Sequence, residues 1–359
     1  MTTGRPLIEC VPNFSEGRNK NVIRQIAGAI ESVAGVSLLN VDPGQAANRT
    51  VMTFVGEPGA VCEAAFRAVK KAGQLIDLRH HQGTHPRMGA TDVLPLVPIR
   101  DISLDECAEL ARALARRIAD ELLIPCYGYE AAALRPTRKN LAVCRAGGYE
   151  ALEEKMTKPG KEPDFLSEKL RAADGSGRVI LDADSPVWRT GCTAVGARNY
   201  LIAVNFNLNT TSVPLANEIA YTVREKGKAV QGANGETVWK PGRLKSVKAL
   251  GWFIDEYGIA QVSTNLTDIG VTPLHIAFNE VSRVANERGL RVTGTEIIGL
   301  LPLKALVDAG KFFLEKQGQP ADASEDKLVL TAIKAMGLDE LRPFNPREKV
   351  IEYLLEDAD

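Results

Sequence analysis

The sequence predicts an α+β protein of two related subdomains, each a split β-α-β-β-α-β sheet layer with helices on one face. Three observations lead there. Strand-like and helix-period stretches follow one another as strand, helix, strand, strand, helix, strand between residues 7 and 99. The same order returns between residues 200 and 300. The chain, at 359 residues, is also too long for one average hydrophobic core. The expected division is 1–198 and 199–359, with a ligand crevice between the two layers.

In the first half, residues 7–11 form a short apolar run that ends at Pro12-Asn13, a strand and then a turn. Val22, Ile23, Ile26, Ile30 and Val33 recur at helical spacing. Residues 36–41 and 50–55 read as strands, the second β-branched and closed by Gly56. Pro58 opens a helix whose apolar face includes Val61, Ala64, Ala65, Val69 and Ala72. Residues 93–99 are a fourth apolar run, and Ser103 with Glu106 forms a capping box for the helix beyond it.

The second half repeats this order. Residues 200–208 read as a strand, 214–226 as a helix, 245–254 and 259–266 as strands joined at Glu256-Tyr257-Gly258. A helix over 273–287, a strand over 291–300 and a helix over 303–316 follow, with two terminal helices near 326–336 and 347–356. Pro12-Asn-Phe-Ser in one half and Asn205-Phe-Asn in the other are local echoes that support a duplication. The stretch 155–184 is rich in Lys, Glu, Asp, Pro and Gly and reads as a loose connector; 231–243, with Gly232, Gly235, Pro241 and Gly242, reads as a long loop.

Composition excludes some classes of function. Hydrophobic and charged fractions of 45% and 25% are those of a soluble globular chain. A net charge of −1 supplies no electrostatic reason for a nucleic-acid or acidic-membrane partner. No apolar run approaches a membrane span, and the N-terminus does not read as a signal peptide. Six scattered cysteines without a Cys-x-x-Cys pair read as reduced, mostly core thiols, so the cytoplasm is the expected compartment.

The chemistry concentrates in 75–93. Three of the four histidines, His80, His81 and His85, stand there with Gly83, Pro86, Arg87 and Asp92. Histidine is the side chain whose ordinary pKa lies near neutrality, and loops on a rigid scaffold carry function disproportionately. His85, followed by Pro-Arg-Met-Gly, is the candidate general acid/base. His80 reads instead as a cap or turn residue. His81 and His85 have a metal-ligand spacing only on a helix, which Gly83 and Pro86 oppose, so no metal is expected. Asp42, at a strand end before Pro43-Gly44, is placed to orient a histidine or hold a cation; Arg49 is placed to grip a carboxylate, and both also fit an ordinary hairpin loop. Gly191, Thr193, Gly196 and Arg198 stand just before a strand, where glycines admit a ligand close to the backbone or simply connect domains. There is no P-loop and no dinucleotide fingerprint; the Gly175-Ser-Gly177 pair lies in the polar connector.

At these residues the chain resembles glutamate formimidoyltransferase (glutamate formiminotransferase) over nearly its whole length. The motifs that carry the resemblance are Glu9-Cys-Val-Pro-Asn-Phe-Ser-Glu-Gly17, Asn48-Arg-Thr-Val, Phe54-Val-Gly56, His85-Pro-Arg-Met-Gly-Ala90 and Asp92-Val93. Thr193-Ala-Val-Gly-Ala-Arg198, Pro241-Gly-Arg-Leu-Lys245, Ala260-Gln-Val-Ser-Thr-Asn-Leu266 and Leu301-Pro-Leu-Lys-Ala-Leu306 extend it. The resemblance implies a homodimer and transfer of the formimino group of N-formimidoyl-L-glutamate to N5 of tetrahydrofolate, a step of histidine breakdown. Tetrahydrofolate is then a co-substrate lying between the subdomains, and only the transferase part, without a cyclodeaminase domain, is expected. The resemblance makes His85 the catalytic histidine and Asp42 its acidic companion. Arg49 and Arg87 become candidates for the donor's carboxylates, with Asn13, Asn48 and Asp92 as further donor-binding positions. Gly191, Thr193, Gly196 and Arg198 are the folate-binding positions, with Arg243 and Lys245 further candidates for its glutamate tail. The chain departs from the pattern over 165–189, over 231–240 and at Tyr129-Glu130-Ala131. The alternatives are an N-formylglutamate-dependent formyltransferase making 5-formyltetrahydrofolate, and a catalytically inactive folate-binding protein.

Overall fold

Alternation along the strands sorts side chains onto two faces of each sheet, and the helices cover one of them. The computed structural model describes residues 5–172, 174, 176–232, 234 and 236–356. Gly175 and Gly235, which figured in the loop readings, and the first four residues lie outside the described residues. The chain divides into two units, 1–199 and 200–359, one residue from the expected boundary.

The first unit runs β1 (Leu7–Cys10), β2 (Asn13–Phe14), α1 (Lys20–Glu31), β3 (Val36–Gly44), β4 (Arg49–Gly56), α2 (Pro58–Leu75), β5 (Thr91–Arg100) and α3 (Leu104–Leu122). It continues with β6 (Cys126–Glu130), α4 (Leu141–Arg145), α5 (Leu152–Thr157), α6 (Pro186–Thr190) and β7 (Thr193–Ala197). Pro12 interrupts the first strand, so β1 and β2 lie in line between β4 and β5. Across the sheet the order is β3, β4, β1 with β2, β5, β7, β6. The first four positions are antiparallel, the arrangement expected of a split β-α-β-β-α-β unit; β7 and β6 extend it in parallel. Ile8, Cys10, Phe14, Met52, Phe54, Leu94 and Leu96 point to the layer of α1, α2 and α3. The capping box at α3 is present, with Ser103 and Glu106 each closing on the other's backbone N–H.

Two expectations for this half are corrected. Thr193-Ala-Val does not precede a strand: it is one, the central parallel strand β7. The stretch 155–184 is not a loose connector. Phe165 bridges Cys126, Tyr127 Oη donates to the Lys161 carbonyl at 2.7 Å, and the buried Asp164 carboxylate accepts from Gly128 N–H and pairs with buried Arg138. With Cys144, Leu152, Met156, Leu170 and Val187 it builds a second small core on the face opposite α1, α2 and α3, against Val93, Tyr127, Tyr129 and Ala194. Its polar composition hid this because its anchors are distant in sequence.

The second unit comprises β8 (Ile202–Leu208), α7 (Val213–Val223), β9 (Lys228–Gln231), β10 (Thr237–Lys240), β11 (Val247–Ile254), β12 (Ile259–Leu266), α8 (Leu274–Asn286) and β13 (Val292–Ile298). It ends with α9 (Leu303–Lys316), α10 (Glu325–Met336), α11 (Pro346–Lys349) and α12 (Ile351–Glu356). Its main sheet is ordered β11, β12, β8, β13, all antiparallel, so both units share one strand order in their four-stranded cores. The echo between halves is positional. Phe14 and Phe206 both sit fully buried on the central strand toward the helices, each stabilising its unit by about 2–3 kcal/mol. The long loop expected at 231–243 contains half of a hairpin, β9 paired with β10, whose Trp239 is exposed and stacked under Lys226 at 4.2 Å. The terminal helix expected over 347–356 breaks at Val350, which is extended and bridges Leu301.

Candidate active site

The connection from α2 to β5 is held against the loop between β3 and β4. After α2 the chain makes a single 3₁₀ turn, Leu78–His80, capped by the Asp77 side chain. His80 is exposed there, as its turn reading requires. His81 is buried and its Nε2–H donates to the Asn48 carbonyl at 2.8 Å. Thr84 N–H and Oγ both reach the Ala46 carbonyl at 3.1 Å. Gly83 lies between them, and a Cβ there would stand 2.3 Å from the Ala47 carbonyl oxygen and 2.9 Å from the Asn48 Cβ. Glycine is needed because two backbones touch.

Asn48 is the pivot of this clasp. It is buried, in the left-handed region at φ 48°, which asparagine tolerates better than most residues. Its Oδ1 accepts from Gly17 N–H at 2.9 Å and its Nδ2 donates to the Gln82 carbonyl at 2.8 Å. The carboxamide thus ties three segments together.

The clasp sets His85 beside Arg49, the first residue of β4. Nδ1 of His85 is 2.6 Å from the Pro86 carbonyl oxygen, and one Arg49 guanidinium nitrogen is 2.5 Å from Nε2 and 3.2 Å from Nδ1. The carbonyl only accepts, so Nδ1 carries the proton toward Pro86, and the guanidinium, which only donates, lies nearer to the unprotonated Nε2. Burial, then the charges of Arg49 and Arg145, push the imidazole pKa down to about 2 against the pull of the Pro86 carbonyl. The ring is therefore neutral at physiological pH, with Nε2 as its basic atom. Arg49 is itself lowered to about 10, by burial first and Arg145 second, with Asp92 and Asp42 opposing.

Asp42 and Asn13 share a row across the sheet. Asp42 is in register with Val51, Val51 with Asn13, and Asn13 with Val93. The row projects from the face opposite Met52 and Phe14. Asn13 is buried and donates to the Val11 carbonyl at 3.1 Å.

Asp92 occupies an irregular position. Phe14 pairs with Thr91 and Asn13 with Val93, so Asp92 is the additional residue of a β-bulge, a device that re-aims a side chain. Its fully buried carboxylate accepts from Met88 N–H at 2.9 Å and pairs with Arg145, the last residue of α4. Arg145 was not legible as a site residue: it sits 60 positions from His85 in a short helix without any motif. Arg87 is tethered away from His85, to Glu150 at 2.6 Å and to the His81 carbonyl at 3.3 Å, with its guanidinium over the Tyr149 ring.

The glycine-rich stretch has internal neighbours. At Gly191 (φ 65°) a Cβ would stand 2.1 Å from the Met88 carbonyl oxygen, and at Gly196 one would stand 2.5 Å from the Tyr129 ring. The Thr193 hydroxyl is fully buried and donates to the Thr91 carbonyl at 2.7 Å. Arg198 is half-buried and bonded to the Asn199 carbonyl. In the second unit, Arg243 pairs with Glu280 and Glu287, and Lys245 lies 3.8 Å from Glu225. Among the described residues no group of three His, Cys, Asp or Glu side chains converges as a metal site.

Residues 7–198 match the family model described as the formiminotransferase domain, N-terminal subdomain, and 203–356 match the formiminotransferase domain. This chain belongs to the formiminotransferase family. It is 45% identical over 352 residues to the formimidoyltransferase-cyclodeaminase of Rattus norvegicus, covering 98% of this chain and 60% of that protein. It is 39% identical over 309 residues to the glutamate formimidoyltransferase of Streptococcus pyogenes, covering 86% of this chain and 93% of that protein. A glutamate formimidoyltransferase from Thermoplasma acidophilum matches at 38% over 314 residues, 87% of this chain and 93% of that protein. The two formiminotransferase subdomains coincide with the two units of the fold.

Proposed function

We propose that this formiminotransferase-family chain transfers the formimino group of N-formimidoyl-L-glutamate to N5 of tetrahydrofolate, releasing L-glutamate. The observation that carries the reading is the neutral His85, its Nδ1–H held by the Pro86 carbonyl and its Nε2 beside the Arg49 guanidinium. N5 attacks the amidine carbon, which becomes tetrahedral. His85 Nε2 takes the proton from N5 and returns it to the glutamate nitrogen as the carbon–nitrogen bond breaks. No net proton or electron is exchanged with solvent. Asp42, in the same sheet as Arg49, stabilises the cationic amidine. Holding both substrates in one geometry supplies much of the remaining rate.

Tetrahydrofolate is a co-substrate in this reading. Of the four positions assigned to it, Arg198 is the one with exposure to meet a charged ligand end; Gly191, Thr193 and Gly196 shape the backbone beside it. A homodimer in the cytoplasm completes the proposal, with Arg49 as the donor's carboxylate ligand and Asn13 and Asn48 as supports of its pocket.

The test is a steady-state assay of purified protein with tetrahydrofolate and either N-formimidoyl-L-glutamate or N-formyl-L-glutamate, alongside His85→Ala. Turnover with the formimino donor that collapses in the folded variant is expected. Turnover with the formyl donor alone would move the activity to 5-formyltetrahydrofolate synthesis. Folate binding without turnover on either donor would make the chain a binding protein.

A further inference from the structure

We propose that Arg145, with Arg49, forms a two-guanidinium seat for a carboxylate of the glutamyl donor, braced from behind by the buried carboxylate of Asp92. The inference rests on the formimino-transfer reading above and replaces Arg87 as the second donor arginine.

Three observations carry it. Arg145 gives Asp92 one end of its guanidinium, while its Nε is buried without a partner. The Asp92 carboxylate is completely buried and already accepts the Met88 N–H, so it orients Arg145 as a fixed support and does not move with a ligand. Among the described residues the Arg49 guanidinium meets the His85 ring and no carboxylate, and a neutral imidazole is a weak partner for a guanidinium. Thr50, next to Arg49, is in register with Phe14, and Phe14 with Thr91, next to Asp92, so Arg49 and the Arg145–Asp92 pair stand two strands apart at the same level of the sheet, where their charges act on each other and on His85. Two guanidiniums held near a neutral imidazole form a cationic cluster that gains most from an added anion. Arg87, in contrast, has Glu150 as its anion and Tyr149 beneath it.

The seat also explains how His85 becomes available. While the pocket holds no anion, Arg49 donates to the Nε2 lone pair. A carboxylate on Arg49 and Arg145 draws the Arg49 N–H bonds to itself, releases Nε2 and offsets both positive charges that oppose protonation of the ring. The charges that act on His85 are Arg49 from β4 and Arg145 from α4; Asp92 from β5 and Asp42 from β3 act on Arg49, and Arg87 and Glu150 are paired to one another. The donor thereby frees the lone pair of its own base and removes the charge contribution to its lowered pKa, while burial, the larger cause, remains.

The experiment compares wild type, Arg145→Lys and Arg145→Met. The readouts are KM for each substrate and calorimetric binding of L-glutamate, with glutarate as an amine-free probe. Arg145→Met should raise donor KM and weaken L-glutamate and glutarate by about tenfold or more, leaving tetrahydrofolate KM within about twofold. Arg145→Lys, which keeps the charge beside Asp92 but loses the fork, secures the result if the Met variant fails to fold; it should weaken the donor less. An unchanged donor KM and L-glutamate affinity in both Arg145 variants, or an effect falling on tetrahydrofolate, would overturn the seat. Because L-glutamate binding needs no turnover, its loss in the variants supports the seat even if neither donor reacts in wild type. No L-glutamate binding by wild type overturns it.

Discussion

An Arg49 guanidinium nitrogen stands 2.5 Å from Nε2 of His85, the ring atom that holds the lone pair. In the proposed mechanism the same arginine that takes the donor's carboxylate covers the base until it arrives. Burial, and after it the charges of Arg49 and Arg145, keep the histidine neutral through the physiological range, which has a measurable consequence for stability.

The His85 pKa falls from an ordinary 6.5 to about 2 on folding. Between those values the unfolded chain binds a proton that the folded chain does not, so this group's contribution to stability is full above pH 6.5 and declines as pH falls toward 2. The urea midpoint of wild type should therefore drop more between pH 7 and pH 5 than that of His85→Gln. His81 and His275 are common to both proteins and cancel. Parallel pH profiles for the two proteins would mean that His85 takes up its proton freely in the folded state.

Gly83→Ala places a methyl 2.3 Å from the Ala47 carbonyl, and backbone must move to admit it. Overpacking of this kind costs about 1–3 kcal/mol. The variant should melt several degrees lower, and its turnover should fall because His85 is two residues away. Calorimetry paired with the transfer assay reads both.

Asn48→Ala removes two buried hydrogen bonds and leaves alanine at φ 48°. Two bonds at about 1 kcal/mol each, and about 1 kcal/mol for the left-handed backbone, predict a loss on the order of 3 kcal/mol. Chemical denaturation checks this. A loss under about 1 kcal/mol would show that water replaces the carboxamide.

Asp92→Asn keeps an oxygen to accept from Met88 N–H but leaves Arg145 without its anion. Removing one member of such a buried pair costs about 3–5 kcal/mol. Donor KM should rise as in the Arg145 variants. A stable Asp92→Asn protein with unchanged donor KM would show that Arg145 holds its place without the carboxylate.

Much of the architecture was legible locally. The helical spacing of Ile23, Ile26 and Ile30, Pro58 at a helix start and the Ser103–Glu106 box each reported a short-range cause, and each element formed there. The breaker-rich stretch around His85 was legible as a loop because Gly83 and Pro86 oppose a helix. The 155–184 segment was not, because its order comes from Tyr127, Gly128 and Arg138, residues on a separate strand and turn. Thr193–Ala197 escaped as a strand because five small, weakly patterned residues become one only between two parallel neighbours.

The sequence by itself determined the duplicated strand order, the helix faces and the family, since these depend on periodicity and on motifs contiguous in the chain. It also singled out His85 from residue type and loop chemistry. Only the tertiary structure decided the state of that histidine. Its tautomer follows from the adjacent Pro86 carbonyl, but its burial, its depressed pKa and the Arg49 contact at Nε2 arise from groups on two other elements, one of them the unheralded Arg145 held by a bulged Asp92. Electrostatic interactions act through space, so the chain order that reveals a helix carries no record of which charges will meet.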